Sequence, residues 1–205
     1  MEKSARTSLI LLLLAAGGAS LVPALSLHAA EQVVIRRQAS EDYRDAETNL
    51  VFPARVDAFE KVMVRINPDP EIGISVSYED ESGNLADVYI YRNAEPFEEH
   101  AEKTFRRILD APKQSNLIRS SEALGEPETN DGIYSAAFRM AVESETLLSR
   151  LTLFEKNGYY VKIRVTNPEA AEQDGDFAHL FAEAFLKQKN QQKIEKTSIT
   201  SGAEK

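Results

Sequence analysis

Apolar and polar residues alternate most regularly over residues 133–166, and this alternation predicts three consecutive antiparallel strands. The first strand carries a row of apolar residues on one side: Tyr134, Ala136, Phe138, Met140 and Val142. A turn over residues 143–146 leads to the second strand. The second and third strands meet at Asn157 and Gly158, a dipeptide that is typical of hairpin turns. The pattern therefore predicts a meander of three neighbouring strands.

The register of the second hairpin depends on the length of its turn. A two-residue turn sets Leu151 opposite Arg164, so that the apolar residues of the two strands face away from each other. A three-residue loop over residues 156–158, with a bulge at its end, instead pairs Leu151 with Ile163. Because this second arrangement gives the sheet one apolar face, we favour the three-residue loop.

The favoured register also places three arginines in one row on the other face of the sheet. If Val142 pairs with Leu147, Arg150 lies opposite both Arg139 and Arg164. Like charges in a row are unfavourable, so we expect a negative group beside them: a carboxylate of the chain itself, a small anionic ligand or an acidic partner surface. A two-residue shift of the preceding turn would separate Arg139 from Arg150. These three arginines are the candidate binding residues.

Shorter patterns predict the remaining strands and helices. Strands are predicted over residues 59–66, 72–78 and 86–91, and helices over residues 96–111 and from about 176 to 185. The two helices carry apolar stripes: Phe97, Ala101, Phe105, Ile108 and Leu109 in the first, and Phe177, Phe181 and Phe185 in the second. Residues 113–131 are polar and are predicted as a connection that holds at most one short helical turn. This order predicts an α+β fold, an antiparallel sheet of about six strands with two main helices packed on it.

Composition divides the chain into four parts. Residues 1–30 combine Lys3 and Arg6 with an apolar stretch and the small pair Ala29 and Ala30, which is typical of a cleavable secretory signal. An uncleaved anchor is the alternative, because residues 9–27 carry no charge. Residues 31–58 are predicted as an N-terminal arm, 59–187 as a single domain and 188–205 as a disordered tail. A leader of this shape on a chain without cysteine predicts export to a bacterial periplasm.

Charge and residue types exclude several kinds of chemistry. The formal net charge of −9 makes nucleic acid an unfavourable partner, and the lack of cysteine excludes disulfides, thiol catalysis and thiolate metal sites. Ser75 lies in a strand pattern that lacks the second glycine of a nucleophile elbow. His100 and His179 lie on predicted helices without a second histidine at ligand spacing. We therefore predict no catalytic residue, no metal site and no cofactor.

Three segments carry a pattern that is seen in a known family: Ile72-Gly73-Ile74-Ser75-Val76-Ser77-Tyr78, Asp87-Val88-Tyr89-Ile90-Tyr91, and the hairpin over 151–166 followed by a helix ending Glu183-Ala184-Phe185-Leu186. This pattern resembles the PsbP-like superfamily, which takes in photosystem accessory proteins, Ran-binding proteins of the Mog type and bacterial envelope proteins. The resemblance spans about residues 59–186. It implies an antiparallel sheet between helices and a non-catalytic accessory or binding role, and it transfers no functional residue.

These observations predict a non-catalytic periplasmic binding or accessory protein that acts through a protein or small-ligand surface. The expected partner is an envelope protein or a small anionic ligand. After signal cleavage the chain is not expected to be an integral membrane protein. Two alternatives stay open: a periplasmic hydrolase or other enzyme whose carboxylates cluster only in space, and a lipid-binding protein of the envelope surface.

Overall fold

A computed structural model of the chain describes residues 34–36, 40–67, 69, 71–92, 94–169 and 177–188. The predicted leader over residues 1–30 lies outside these ranges. So do all but the first residue of the predicted tail and residue 176, where the second helix was expected to begin.

Antiparallel strands dominate the described chain. In chain order they are β1 (Val34–Arg36), β2 (Tyr43–Arg44), β3 (Val51–Phe52), β4 (Arg55–Val56), β5 (Phe59–Ile66), β6 (Ile74–Glu79), β7 (Leu85–Tyr91), β8 (Ile118–Ala123), β9 (Glu128–Asn130), β10 (Ile133–Val142), β11 (Glu145–Lys156) and β12 (Tyr159–Pro168). Ten of these form one sheet in the order β1-β5-β6-β7-β12-β11-β10-β8, in which β4 also pairs with β5 and β9 with β10. Strands β2 and β3 pair separately.

The described ranges contain three helices, α1 (Phe97–Leu109), α2 (Ala111–Gln114) and α3 (Phe177–Leu186). The first begins directly after Pro96, whose φ of −56° suits a helix start. It ends two residues earlier than predicted, and Pro112 lies in the first turn of α2. A proline is tolerated there because the backbone N–H groups of a first turn have no helical partner.

The two longer helices cover opposite faces of the sheet. The apolar stripe of α1 packs in one cluster with Phe138 and Leu151, and we call this side of the sheet the α1 face. The other side, the α3 face, holds Val88 and Ile163 in a cluster with Phe181 of α3. Because successive strand residues point to opposite faces, the central strands β7, β11 and β12 contribute residues to both clusters.

The predicted α+β architecture, with about six strands and two main helices, is wrong, because the described chain is mostly sheet and its helices are few and short. The stretch before residue 57 supplies β1 to β4, and the polar connection over 113–131 supplies β8 and β9. In β8 the buried residue is Ile118, and all three residues of β9 are exposed. Polar edge strands of this kind lack the apolar alternation by which a strand is recognised.

The predicted three-stranded meander is confirmed, since β10 pairs with β11 and β11 with β12. The favoured hairpin register, however, is wrong. Asn157 and Gly158 form a two-residue turn with φ values of 55° and 79°, the geometry of a type I′ turn. Leu151 consequently lies opposite Arg164, and Ile163 lies opposite Thr152.

The physical reason for this register lies in neighbouring strands. The α1 face is not uniformly apolar, because Lys162 and Arg164 share it with Leu151 of β11 and with Asp87 of β7. The apolar residues of β12 that alternate with these cations, such as Ile163, point to the α3 face and complete its core. A hairpin judged alone cannot reveal that its cations have a carboxylate on the next strand.

A lysine fixes α3 against the sheet. Lys156 Nζ donates hydrogen bonds to the carbonyl oxygens of Phe185, Leu186 and Gln188, at 2.6, 2.9 and 2.8 Å. The last carbonyls of a helix have no partner within it, so this side chain satisfies groups that would otherwise need water. Burial lowers the pKa of Lys156 below its usual value. These three hydrogen bonds hold the end of α3 against the β11–β12 hairpin.

Candidate functional site

A groove lies on the α3 face, between α3 and residues 124–128, which comprise the β8–β9 connection and the first residue of β9. Its volume is about 340 Å³, inside the range of roughly 300–1,000 Å³ that small ligands occupy in proteins. Ser135, Ala137 and Thr152 of β10 and β11 line its floor, and Ala178 and Ala182 of α3 line one wall. The groove exists because these neighbouring positions carry short side chains.

Two exposed leucines border this groove. Leu124 follows β8 and is 41% exposed, and Leu186, at the end of α3, is 39% exposed. Among the described residues, four large apolar side chains are this exposed, and the other two, Ile72 and Leu180, do not line the groove. Exposed apolar side chains beside a concave surface are typical of contact sites for partners.

The charged side chains around the groove are mostly acidic. Glu126, Glu128 and Glu183 line it, together with Arg150 and His179. Glu183 accepts a hydrogen bond from Lys187 at 2.5 Å, and this bond lowers the pKa of the carboxylate. The surface around the groove therefore favours cationic over anionic groups of a partner.

The three predicted binding arginines do not form a row. Arg139 lies opposite Leu148 and pairs with the carboxylates of Glu122 at 2.9 Å and Glu169 at 2.8 Å. Both partners belong to the chain, so Arg139 is neutralised internally. The cause is the turn after β10, in which Val142 pairs with Glu145 and shifts the register by two residues.

The other two arginines lie on opposite faces of the sheet. Arg150 shares the α3 face with Arg139, lies opposite Ala137 and Val165, and lines the groove. Arg164 points to the α1 face, where it lies opposite Asp87. One predicted residue thus belongs to the groove and a second to a separate group of charges.

His100 forms a polar cluster with two tyrosines beneath α1. Its Nε2 atom lies 2.7 Å from the hydroxyl of Tyr91, and its ring stacks on Tyr160 with 4.9 Å between ring centres. Its Nδ1 atom lies 3.8 Å from a carboxylate oxygen of Glu95, and only 11% of its side chain is exposed. The sequence pattern missed this cluster because the tyrosines lie on strands distant in sequence and carry no local signal.

The ionisation of this cluster disfavours acid–base catalysis. Burial, with a smaller effect from Lys162, lowers the pKa of His100 to about 4. Burial also raises the pKa of Tyr91 above its usual value. Both side chains are therefore neutral at pH 7, whereas a general base works best with a pKa near the working pH.

The described ranges contain neither a metal-binding cluster of side chains nor a helix that could cross a membrane. No three His, Asp or Glu side chains within them lie close enough together to hold a metal ion. None of the helices found there has both the length and the apolar character that crossing a membrane requires.

Together these features define a sheet-rich domain with an apolar, acid-rimmed groove on one face and a group of cations on the other. No protein-family model matches the chain, and a search of curated proteins finds no match.

Proposed function

We propose that the chain is a non-catalytic binding protein that holds a segment of a partner protein in the groove of the α3 face. The observation that carries this proposal is the pair of exposed leucines, Leu124 and Leu186, on either side of a floor of short side chains. Such a groove accepts one or two apolar side chains of a partner, and its leucines become buried on binding.

The charge of the groove specifies the partner further. Three glutamates, Glu126, Glu128 and Glu183, surround the apolar floor. A partner segment with an apolar anchor flanked by Lys or Arg satisfies both features, because its cations meet Glu126 and Glu128 at the polar rim, while Glu183 pairs with Lys187 of its own helix. The net charge of −9 for the whole chain adds a long-range attraction for such a segment.

The expected setting is the periplasm, reached through the leader over residues 1–30, with an envelope protein as partner. The resemblance to the PsbP-like superfamily agrees with a binding role, and both statements rest on the sequence pattern alone. A lipid surface is less favoured as the target of the groove, since anionic headgroups are repelled by its glutamates. An enzyme is less favoured because burial moves the pKa values of His100 and Tyr91, a hydrogen-bonded pair, away from pH 7 in opposite directions.

Site-specific cross-linking tests this proposal. The chain has no cysteine, so a single cysteine at Ser135 in the groove carries a photo-activated cross-linker without competing labels. The matched control carries the same label at Ser82, on the exposed β6–β7 hairpin tip. We expect one protein from the native compartment to cross-link from position 135 and not from position 82. Equal labelling from both positions would contradict the proposal.

A second step compares two leucines of the same helix. The peptide identified by cross-linking is synthesised and its Kd is measured with Leu186→Glu and with Leu180→Glu, whose wild-type residues are 39% and 38% exposed. Because Leu186 alone of the two lines the groove, we expect at least a tenfold weaker Kd for Leu186→Glu, from lost apolar burial and from the cost of placing a charge against the partner's apolar anchor. A similar loss in both variants would show that the groove is not the binding site.

A further inference from the structure

Cations are concentrated on two neighbouring rungs of the α1 face, a rung being a row of directly opposed residues on adjacent strands. The rungs cross strands β5, β6, β7 and β12 in that order. One rung is Arg65, Ser75, Tyr89 and Lys162, and the next is Met63, Ser77, Asp87 and Arg164. We call these eight residues the charged rungs. They lie on the side of the sheet opposite the groove, so they form an independent site.

Lys162 and Arg164 make their direct contacts with neutral groups. Lys162 Nζ lies 4.1 Å from the centre of the Tyr89 ring, a cation–π contact. Arg164 donates hydrogen bonds to the hydroxyl of Ser149 and the sulfur of Met140, each at 2.9 Å. Partly buried cations are usually paired with carboxylates, because leaving water costs them hydration.

Asp87 is the carboxylate within the charged rungs. It is 4% exposed and accepts a hydrogen bond from the Ser77 hydroxyl at 2.5 Å. Its other oxygen, Oδ2, has no hydrogen-bond partner among the described residues. Burial raises the pKa of Asp87, while Ser77 and the cations of the rungs lower it. One carboxylate beside three cations leaves two positive charges without a counter-charge on the rungs.

The charged rungs are open to solvent over part of their length. The cluster beneath α1 contains residues of β7, β8, β10, β11 and β12 but none of β5 or β6. Arg65, Tyr89, Lys162 and Arg164 are accordingly only partly buried. Burial, with Arg164 and Arg107 nearby, lowers the pKa of Lys162 to about 8, so the ammonium form still prevails at pH 7.

We propose that the charged rungs bind a small dianion of the phosphate type, either inorganic phosphate or the phosphate group of a phosphomonoester. Two uncompensated positive charges match a dianion. Lys162 and Arg164 lie two residues apart on one strand and have their side chains on one face, a spacing that a single tetrahedral group can bridge. Arg65 offers a planar fork to two oxygens, Lys162 offers a compact charge, and the hydroxyl of Ser75 adds a neutral donor; Arg164, which already bonds Ser149 and Met140, contributes mainly its charge.

Titration of the folded chain with inorganic phosphate at constant ionic strength tests the proposal. Chemical shifts are followed by NMR, with sodium chloride as the reference and sulfate, succinate and glycerol 3-phosphate as competing probes. We expect saturable shifts for residues of β7 and β12 with phosphate, and a tighter response to glycerol 3-phosphate if the source is a phosphomonoester. No saturable shift with either phosphate compound, or succinate binding as tightly as phosphate, would overturn the proposal.

Variants then identify the contacts. Lys162→Met and Arg65→Met should each weaken phosphate binding at least tenfold, and Arg65 lies near the open side, so its replacement leaves the core intact. Arg92→Met is the matched control, because Arg92 is an exposed arginine that pairs with Glu47 outside the charged rungs. Far-UV circular dichroism verifies folding of each variant. An equal affinity in Arg65→Met and Arg92→Met would overturn the assignment.

The pH dependence gives a separate readout. The groups that face Lys162 are Asp87, Tyr89 and Tyr91 of β7, Arg164 of its own strand, and His100 and Arg107 of α1. The tyrosines and His100 stay neutral between pH 7 and 9. Because the dianion fraction of phosphate itself rises over this interval, the affinity is expressed per dianion, and we expect it to fall several-fold as Lys162 loses its proton. An unchanged affinity would show that Lys162 does not contact the anion.

Discussion

Leu151 of β11 lies directly opposite Arg164 of β12, so a fully buried leucine and a partly buried arginine share the α1 face of the sheet. On its other side Arg164 lies opposite Asp87 of β7. The cation therefore stands between an apolar neighbour and a carboxylate. This arrangement explains how a sheet can tolerate charged residues within a row of apolar ones.

Replacing Asp87 by asparagine should lower the pKa of Lys162 further below 8. Asp87 is the charge that raises this pKa, while Arg164 and Arg107 lower it. The measurement is an NMR titration of the lysine side-chain resonances between pH 6 and 11. Asp110→Asn is the control, because Asp110 pairs with the exposed Lys113 and should leave Lys162 unchanged. A pKa of Lys162 that stays the same or rises in Asp87→Asn would contradict the arrangement.

The β11–β12 hairpin, which holds Leu151 and Arg164, shows why the sequence of a hairpin alone does not reveal its register. The turn was recognised because Asn157 and Gly158 adopt positive φ readily. The predicted three-residue length of the turn is wrong, because it follows from the assumption that one face of the sheet is uniformly apolar. The true register sets Arg164 opposite Asp87, a residue more than 60 positions earlier that comes to lie beside the cations only after the sheet has assembled.

The groove was not predictable for a related reason. Its floor and walls come from β10, β11 and α3, and small residues such as Ala137 carry no signal for concavity. The sequence pattern predicts Arg150 as part of a row of arginines. It lines the groove instead because it lies opposite Ala137, another residue of the groove. By contrast, the apolar stripe that includes Phe181 was visible, because helical periodicity is a local property of the sequence.

His100 should make the folded state sensitive to acid. Its pKa is about 4 when folded and about 6.5 when unfolded. The unfolded state therefore binds more protons between these values, and stability that is present above pH 6.5 is lost as the pH falls toward 4, by about 3 kcal/mol. Denaturant unfolding across this range should show a smaller acid-induced loss in His100→Gln than in wild type.

His179→Gln serves as the control for this measurement. His179 lies on the surface of α3, with 63% of its side chain exposed. The free energy of unfolding of His179→Gln should depend on pH as that of the wild type does. The carboxylates, which both proteins share, contribute equally to the two curves. Parallel curves for wild type and His100→Gln would contradict a depressed pKa at His100.

Packing on the α3 face makes Phe181 one of the most important apolar residues. Its ring is fully buried and lies 5.3 Å from the ring of Phe59 and 5.1 Å from that of Tyr78, centre to centre. Phe181→Ala should destabilise the chain by about 3–5 kcal/mol, from lost burial and the cavity left behind. Phe105→Ala on α1 should cost less, about 2 kcal/mol, because this ring is only partly buried.

The neighbour of Phe181 on α3 is the control for these values. Leu180 is 38% exposed, so Leu180→Ala should change the free energy of unfolding by less than about 0.5 kcal/mol. Urea unfolding of the three variants gives the comparison directly. Equal losses for Phe181→Ala and Leu180→Ala would mean that α3 does not pack on the sheet through its phenylalanines.

Gly73, at the start of β6, should tolerate no side chain. Its φ is +63°, and a Cβ added there would overlap the carbonyl oxygen of Ile90 and lie 2.9 Å from the Cα of Tyr91. Gly83, in the β6–β7 turn, has a similar φ of +81° but no atom within 4 Å of an added Cβ. The two positions therefore share the strain of a left-handed backbone and differ in the overlap with β7.

Replacing each glycine by alanine separates these two effects. Gly83→Ala should cost about 1 kcal/mol, the penalty for an L-residue in the left-handed region. Gly73→Ala should cost at least about 3 kcal/mol, because the same penalty is joined by overlap that pushes β6 away from β7. Hydrogen exchange should also show faster exchange at Ile74 and Ile90, which face each other across the two strands. Equal costs for the two variants would mean that the backbones of Gly73 and Ile90 are not in close contact.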